Sequence, residues 1–209
     1  MQSLQEYAGA PHNQGTLALV FTDIVGSTEL NNHFGDDDRL SILLLHFERA
    51  RRLIDENHGY LIKFIGDSCM VAFRTTVDAF RFSTQFFLDT GHEFVSIRAG
   101  FHFGGVLIED DDVYGSMVNL TSRIQHSMER WGIAISDPAF KDVKGVLGRN
   151  APQMEEKRTT LLSRDFAIRR FGKSQVKKCA GQSVKEEERG KRQGSHGSNK
   201  FSLRRRPLS

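Results

Sequence analysis

The stretch that most constrains this chain is Thr16–Thr28, TLALVFTDIVGST. Its first half is an apolar run rich in β-branched and aromatic residues, the pattern of a buried strand. An acid, Asp23, then stands where another apolar residue is expected, and Gly26, Ser27 and Thr28 lead into a helical pattern. A carboxylate at the end of a central strand binds a hard cation, and the free N–H groups of a helix start bind an anion. The stretch therefore suits a metal carrying a phosphate. It equally suits an aspartate that merely caps the next helix, and this stretch alone does not separate the two.

Taken in order, residues 1–15 read as a loose leader and residues 16–22 as the first strand. Residues 27–57 are helical, with a break near Gly35-Asp36-Asp37-Asp38. In the second half, Leu40, Leu44, Phe47, Arg51 and Ile54 fall at helical spacing and are read as the core face. Tyr60–Ile65 and Ser68–Phe73 form a hairpin about Gly66-Asp67. Val77–Leu88 is a helix whose Phe80, Phe82, Phe86 and Phe87 belong to the core. Strands are expected at Phe94–Phe103 and Val106–Ile108, with a turn at Gly104-Gly105, then an acidic loop at Glu109–Asp112 and a helix over Val113–Met128. A strand at Gly132–Ser136 and a helix from Asp137 to about Val146 complete the pattern. The order βαββαβ is a ferredoxin-like α+β arrangement.

The 209 residues suffice for one domain with a sizeable core. Residues 1–150 hold 13 Lys+Arg against 20 Asp+Glu, while residues 151–209 hold 16 against 6. The switch from −7 to +10 marks a boundary near Asn150. Residues 16–150 are thus the domain, and the basic tail 151–209 is expected to be largely disordered. Phe166, Phe171 and Phe201 are too few for base stacking, so a solvated tail is favoured over one that binds nucleic acid or an acidic membrane surface. Two cysteines, Cys69 and Cys179, imply no disulfide framework. Without a signal-peptide core or a bilayer-length apolar run, a soluble cytoplasmic protein is expected.

Polar residues interrupt the apolar pattern at Asp23, Asp67, Arg98 and Asp112, and Asn119 and Arg123 share a helix face four residues apart. Four stretches carry them in order: FTDIVGST (21–28), HGYLIKFIGDSCMVAF (58–73), IRAGFHFGGV (97–106) and DVYGSMVNLTSRI (112–124). Together they resemble the class III nucleotidyl cyclase catalytic domain over roughly residues 15–148. The resemblance implies conversion of ATP to 3′,5′-cyclic AMP and pyrophosphate, with two Mg2+ or Mn2+ ions per site. It implies metal binding by Asp23, Asp67 and the main-chain carbonyl of Ile24. Val25, Gly26, Ser27 and Thr28 correspond to the loop holding the β- and γ-phosphates, and Arg98 to an arginine near the phosphates. Lys63 and Asp112 match the pair that reads adenine, Asn119 the residue that orients the ribose, and Arg123 the one that stabilises the transition state. Sites of this family form between two catalytic domains, so a homodimer with composite sites is implied. One element has no counterpart. The family's late-strand lysine is not found, since Val143-Lys144-Gly145 falls in the last helix, and the family's final strands are not recognisable.

The residue types suit this chemistry. Metal ions lower the pKa of an attacking hydroxyl and neutralise phosphate charge, and magnesium needs few protein carboxylates. Arginine is always charged and forked, which suits growing charge on phosphoryl oxygens. Adenine offers an amino donor where guanine offers an oxygen. Asp112 can accept from that amino group while Lys63 donates to the neighbouring ring nitrogen, which favours ATP. His102 is read as a packed core residue. Two other readings stay open: a catalytically weak or inactive cyclase-like nucleotide-binding module, and a guanylyl cyclase.

Overall fold

The computed structural model of the chain describes residues 2–147, 155–161 and 164–172. A mixed eight-stranded sheet organises them. The strands are β1 (Gln14–Ile24), β2 (Tyr60–Ile65), β3 (Ser68–Phe73), β4 (Ile97–Glu109), β5 (Asp112–Tyr114), β6 (Gly132–Ser136), β7 (Glu155–Leu161) and β8 (Arg164–Phe171). The helices are α1 (Leu4–Ala8), α2 (Ser27–His33), α3 (Asp36–Glu56), α4 (Thr76–Leu88), α5 (Ser116–His126) and α6 (Asp137–Leu147). Strand order is β2-β3-β1-β4-β6-β8-β7, with β5 paired to β4. The first four strands, with α3 and α4 on one face, are the ferredoxin-like core that the sequence pattern implies.

Strand alternation divides the apolar residues between two layers. Ala18, Val20, Val71, Phe73, Phe101 and Ile133 face α3, α4 and α6, where Phe80, Phe82, Phe86 and Phe87 fill the larger core. Leu17, Leu19, Met70, Ala72 and Val106 face the other way, toward Leu4 and Tyr7 of α1 and Met117 of α5.

Several elements differ from expectation. The stretch read as a loose leader is folded: Leu4 is wholly buried, and the Tyr7 hydroxyl donates to the His58 carbonyl at 2.7 Å. Leu40 and Leu44 are about half exposed; Ile54 is buried as expected, but α3 otherwise buries Ile42, His46, Ala50 and Leu53, a stripe rotated by roughly a third of a turn. β4 runs unbroken through Gly104 and Gly105, which pair with Leu17 and Thr16 of β1. A short strand, β5, takes the place of the expected start of the helix, which begins only at Ser116. At the far edge, β8 pairs with β6 and β7 with β8, so part of the tail read as disordered is a hairpin on the sheet. Residues 173–209, which carry the remainder of that expectation, lie outside the described residues.

Candidate active site

Asp23 lies directly opposite Arg98 in the antiparallel β1–β4 ladder. Their neighbours Ile24 and Ile97 point into the α3–α4 core, so both charged side chains stand on the α5 face. Arg98 donates from Nε at 2.8 Å and Nη2 at 2.5 Å to Asp23 Oδ2. Ser68 Oγ donates to Asp23 Oδ1 at 2.8 Å. Both carboxylate oxygens are thus engaged by protein donors. Sequence reasoning expected Arg98 near the phosphates and did not single out Ser68; its position just past the Gly66-Asp67 turn was the available signal.

Asp67 is the second residue of the two-residue turn between Ile65 and Ser68. Gly66 takes the left-handed conformation, φ +62°, that the first position of such a hairpin turn requires. Asp67 lines a narrow cavity of about 30 Å3 together with Ile24, Ser27, Leu30, Arg39, Ile42, Leu43 and Val95. Its Oδ2 is buried with no hydrogen-bond partner. An unmatched buried carboxylate oxygen is costly, and a hard divalent cation is a group that would satisfy it. Asp23, Asp67 and the Ile24 carbonyl offer only oxygen donors, the type that Mg2+ and Mn2+ prefer; the Asp67 oxygen is open, while those of Asp23 are engaged by Arg98 and Ser68. Among the described residues no group of three or more His, Cys, Asp or Glu could hold a metal ion.

Of the expected phosphate loop, the Val25 amide is already used, donating to the Ser96 carbonyl at 2.8 Å. Gly26 has φ +72° and precedes α2, whose first amides lack intrahelical acceptors. The amides of Gly26, Ser27 and Thr28, at the start of α2, have no such bond among the described residues.

Lys63 and Asp112 meet as an ion pair, Lys63 Nζ donating to Asp112 Oδ2. A β-bulge makes this contact possible. Leu61 pairs with Val71, but Lys63 rather than Ile62 pairs with Met70. The extra residue leaves Ile62 and Lys63 on one face, opposite Met70 of the α1–α5 layer, and returns Phe64 to the α3 core. Without the bulge, alternation would turn Lys63 into the apolar core under α3. Asp112 is held on β5, where Oδ1 also accepts the Val113 N–H at 2.9 Å.

Asn119 and Arg123 are exposed on α5, and their side chains make no hydrogen bond or ion pair with the described residues. The structure does not bring them to Asp23 or to the Lys63–Asp112 pair. α5 itself is seated closely on the sheet: a Cβ at Gly100 would lie 2.4 Å from the Gln125 Cα. His102 Nδ1 is 2.7 Å from Ser136 Oγ, and burial pushes the His102 imidazole below its ordinary value, in keeping with a packed role.

The model of the adenylate and guanylate cyclase catalytic domain matches residues 10–177. The chain belongs to this family. The match covers β7 and β8, which lie beyond the boundary near residue 150 that composition suggested. An adenylate cyclase of Neurospora crassa is 33% identical over 148 residues, covering 56% of this chain and 6% of that protein. One of Podospora anserina is 31% identical over 171 residues, covering 67% of this chain and 8% of that protein. This cyclase chain therefore spans under a tenth of those relatives' lengths. Among solved structures, the catalytic core of a rhodopsin-guanylyl cyclase with converted specificity, in complex with ATPαS, superposes with a TM-score of 0.65 at 18% identity, over 74% of this chain and 93% of that one. Among the described residues no helix is long and apolar enough to cross a membrane.

Proposed function

We propose that this cyclase domain converts ATP to 3′,5′-cyclic AMP and pyrophosphate, in a homodimer whose two sites each draw on both chains. The observation that carries the choice of ATP is the Lys63–Asp112 pair, which the β2 bulge sets on the α5 face. On binding, Asp112 accepts the adenine 6-amino hydrogen and Lys63 donates to the adjacent ring nitrogen. Guanine would set its oxygen against the Asp112 carboxylate. The names carried by the fungal relatives agree with this choice.

The ribose 3′-oxygen attacks the α-phosphorus, a P–O bond forms, and the bond to the β-phosphate oxygen breaks. Mg2+ or Mn2+, two ions per site, held by Asp23, Asp67 and the Ile24 carbonyl, would lower the hydroxyl pKa and neutralise phosphate charge. Gly26, Ser27 and Thr28 hold the terminal phosphates through their amides. Arg98, released from Asp23, joins them. Asn119 orients the ribose, and Arg123 meets the charge that grows on the α-phosphoryl oxygens. The exposed, unpaired Asn119 and Arg123 support contribution to a partner's site rather than their own.

The occupied Asp23 carboxylate favours one other reading, a nucleotide-binding module of weak activity. Purified protein given ATP or GTP with Mg2+ or Mn2+ separates them. Cyclic AMP in excess of cyclic GMP is expected. Nucleotide binding with no cyclic product would support the module, and equal use of ATP and GTP would overturn the base assignment.

A further inference from the structure

We propose that Asp111 is a positioning residue for base selectivity, holding its neighbour Asp112 in place by tying the β4–β5 turn to helix α1. The inference rests on the reading of Lys63 and Asp112 as the base-reading pair.

The turn is unusual in its residues. Glu109 pairs with Asp112, leaving Asp110 and Asp111 as a two-residue loop. Both are left-handed, with φ +50° and +58°. Such a turn is normally filled by Asn-Gly or Asp-Gly, because the second position is easy only for glycine. An aspartate there gives up backbone ease, and its carboxylate makes a contact that glycine could not. Asp111 Oδ1 accepts the Leu4 N–H at 2.7 Å. Leu4 is the first residue of α1 and is wholly buried, so its amide is a fixed anchor. Tyr60 packs in the same layer, its ring 5.4 Å from that of Tyr7.

Lys63 sits on β2, and Asp111 and Asp112 are consecutive. The turn is therefore held at two adjacent positions, to α1 by Asp111–Leu4 and to β2 by Asp112–Lys63. β5 is only three residues long and pairs with β4 alone, so it offers Asp112 little support of its own. When adenine draws Lys63 and Asp112 apart, the Asp111 link is the one that remains. A further brace lies on the other side of the turn, where Asn13 Nδ2 donates to Glu109 Oε2 at 2.7 Å.

Two variants of the full chain test this: Asp111→Gly and Asp111→Asn. Glycine suits the turn but removes the acceptor, whereas asparagine keeps an acceptor oxygen and tolerates the left-handed backbone. With Asp111→Gly, KM for ATP should rise more than kcat falls. The ATP-to-GTP ratio of kcat/KM should drop about five- to tenfold, the scale of one ordinary intramolecular hydrogen bond. Melting temperature should not fall, and Asp111→Asn should restore most of the ratio. Competition of ATP and GTP for a fluorescent ribose-labelled ATP reads the same ratio without turnover. If the unmodified protein makes no cyclic AMP, the proposed reaction fails while the binding ratio still tests Asp111. Wild-type selectivity in Asp111→Gly, or equal binding of ATP and GTP by the unmodified protein, overturns the proposal.

Discussion

Arg98 and Asp23 face each other across two antiparallel strands, and the guanidinium places two of its donors on a single carboxylate oxygen. The partner expected at the phosphates thus sits on an expected metal ligand. The pair is only partly buried, with side-chain exposures of 27% and 18%, so its strength is about 1 kcal/mol. Metal binding must displace it. Arg98→Ala should tighten Mn2+ binding in the absence of nucleotide by a few fold, read by spin-resonance titration of free Mn2+, while lowering turnover of ATP. Unchanged Mn2+ affinity would show that the pair does not compete with the ion.

Asp67 carries the opposite signature, a buried oxygen with no donor. Asp67→Asn removes that uncompensated charge, so the metal-free protein should be at least as stable as the parent. Mn2+ should raise the melting temperature of the parent by mass action and leave that of the variant unmoved. An equal rise in both would exclude Asp67 from the metal site.

The seating of α5 depends on one missing side chain. Gly100→Ala would bring a methyl group to 2.4 Å from a backbone atom of Gln125. The helix must shift, at a cost of roughly 1–3 kcal/mol, and Asn119 and Arg123 move with it. Denaturant unfolding should show the loss, and cyclase activity should fall further than the loss of folded protein explains. A variant of unchanged stability would contradict the packing.

The buried His46 and the half-buried His102 make stability depend on pH. Burial pushes His46 below the ordinary 6.5, against the opposing effects of its contact with the Thr90 carbonyl and the charge of Asp67; it pushes His102 down too. As pH falls through about 6.5, the unfolded chain takes up these protons and the folded chain does not. Their share of stability is present above that pH and is lost as pH falls toward the folded values. Denaturant midpoints should drop between about pH 7.5 and pH 5.5, less steeply in His46→Gln. A midpoint equally steep in that variant would assign the effect elsewhere.

Much of this was legible in the sequence because local signals and tertiary fold agreed. The Gly66-Asp67 hairpin and the phenylalanines of α4 appear where the pattern placed them. Where they disagreed, tertiary pairing decided. Gly104-Gly105 reads as a turn, yet β1 supplies partners on the other side and the strand continues. On α3, Leu40 and Leu44 look like core residues, but the sheet meets the face carrying the small Ala50 and the polar His46. His46 is satisfied there by the Thr90 carbonyl at 2.8 Å, a contact no helical periodicity encodes. The site residues were legible as types and spacing. The bulge that turns Lys63 toward Asp112, and the Ser68 and Arg98 contacts on Asp23, depend on register between strands distant in sequence.

Subunit complementation tests the central claim most directly. Asp23→Ala and Arg123→Ala proteins should each be nearly inactive in forming cyclic AMP from ATP. Mixed under conditions of demonstrated subunit exchange, they should regain activity, because each heterodimer holds one site with both residues intact. A mixture that stays inactive while subunits exchange, or a strict monomer with full activity, would contradict the shared two-chain site.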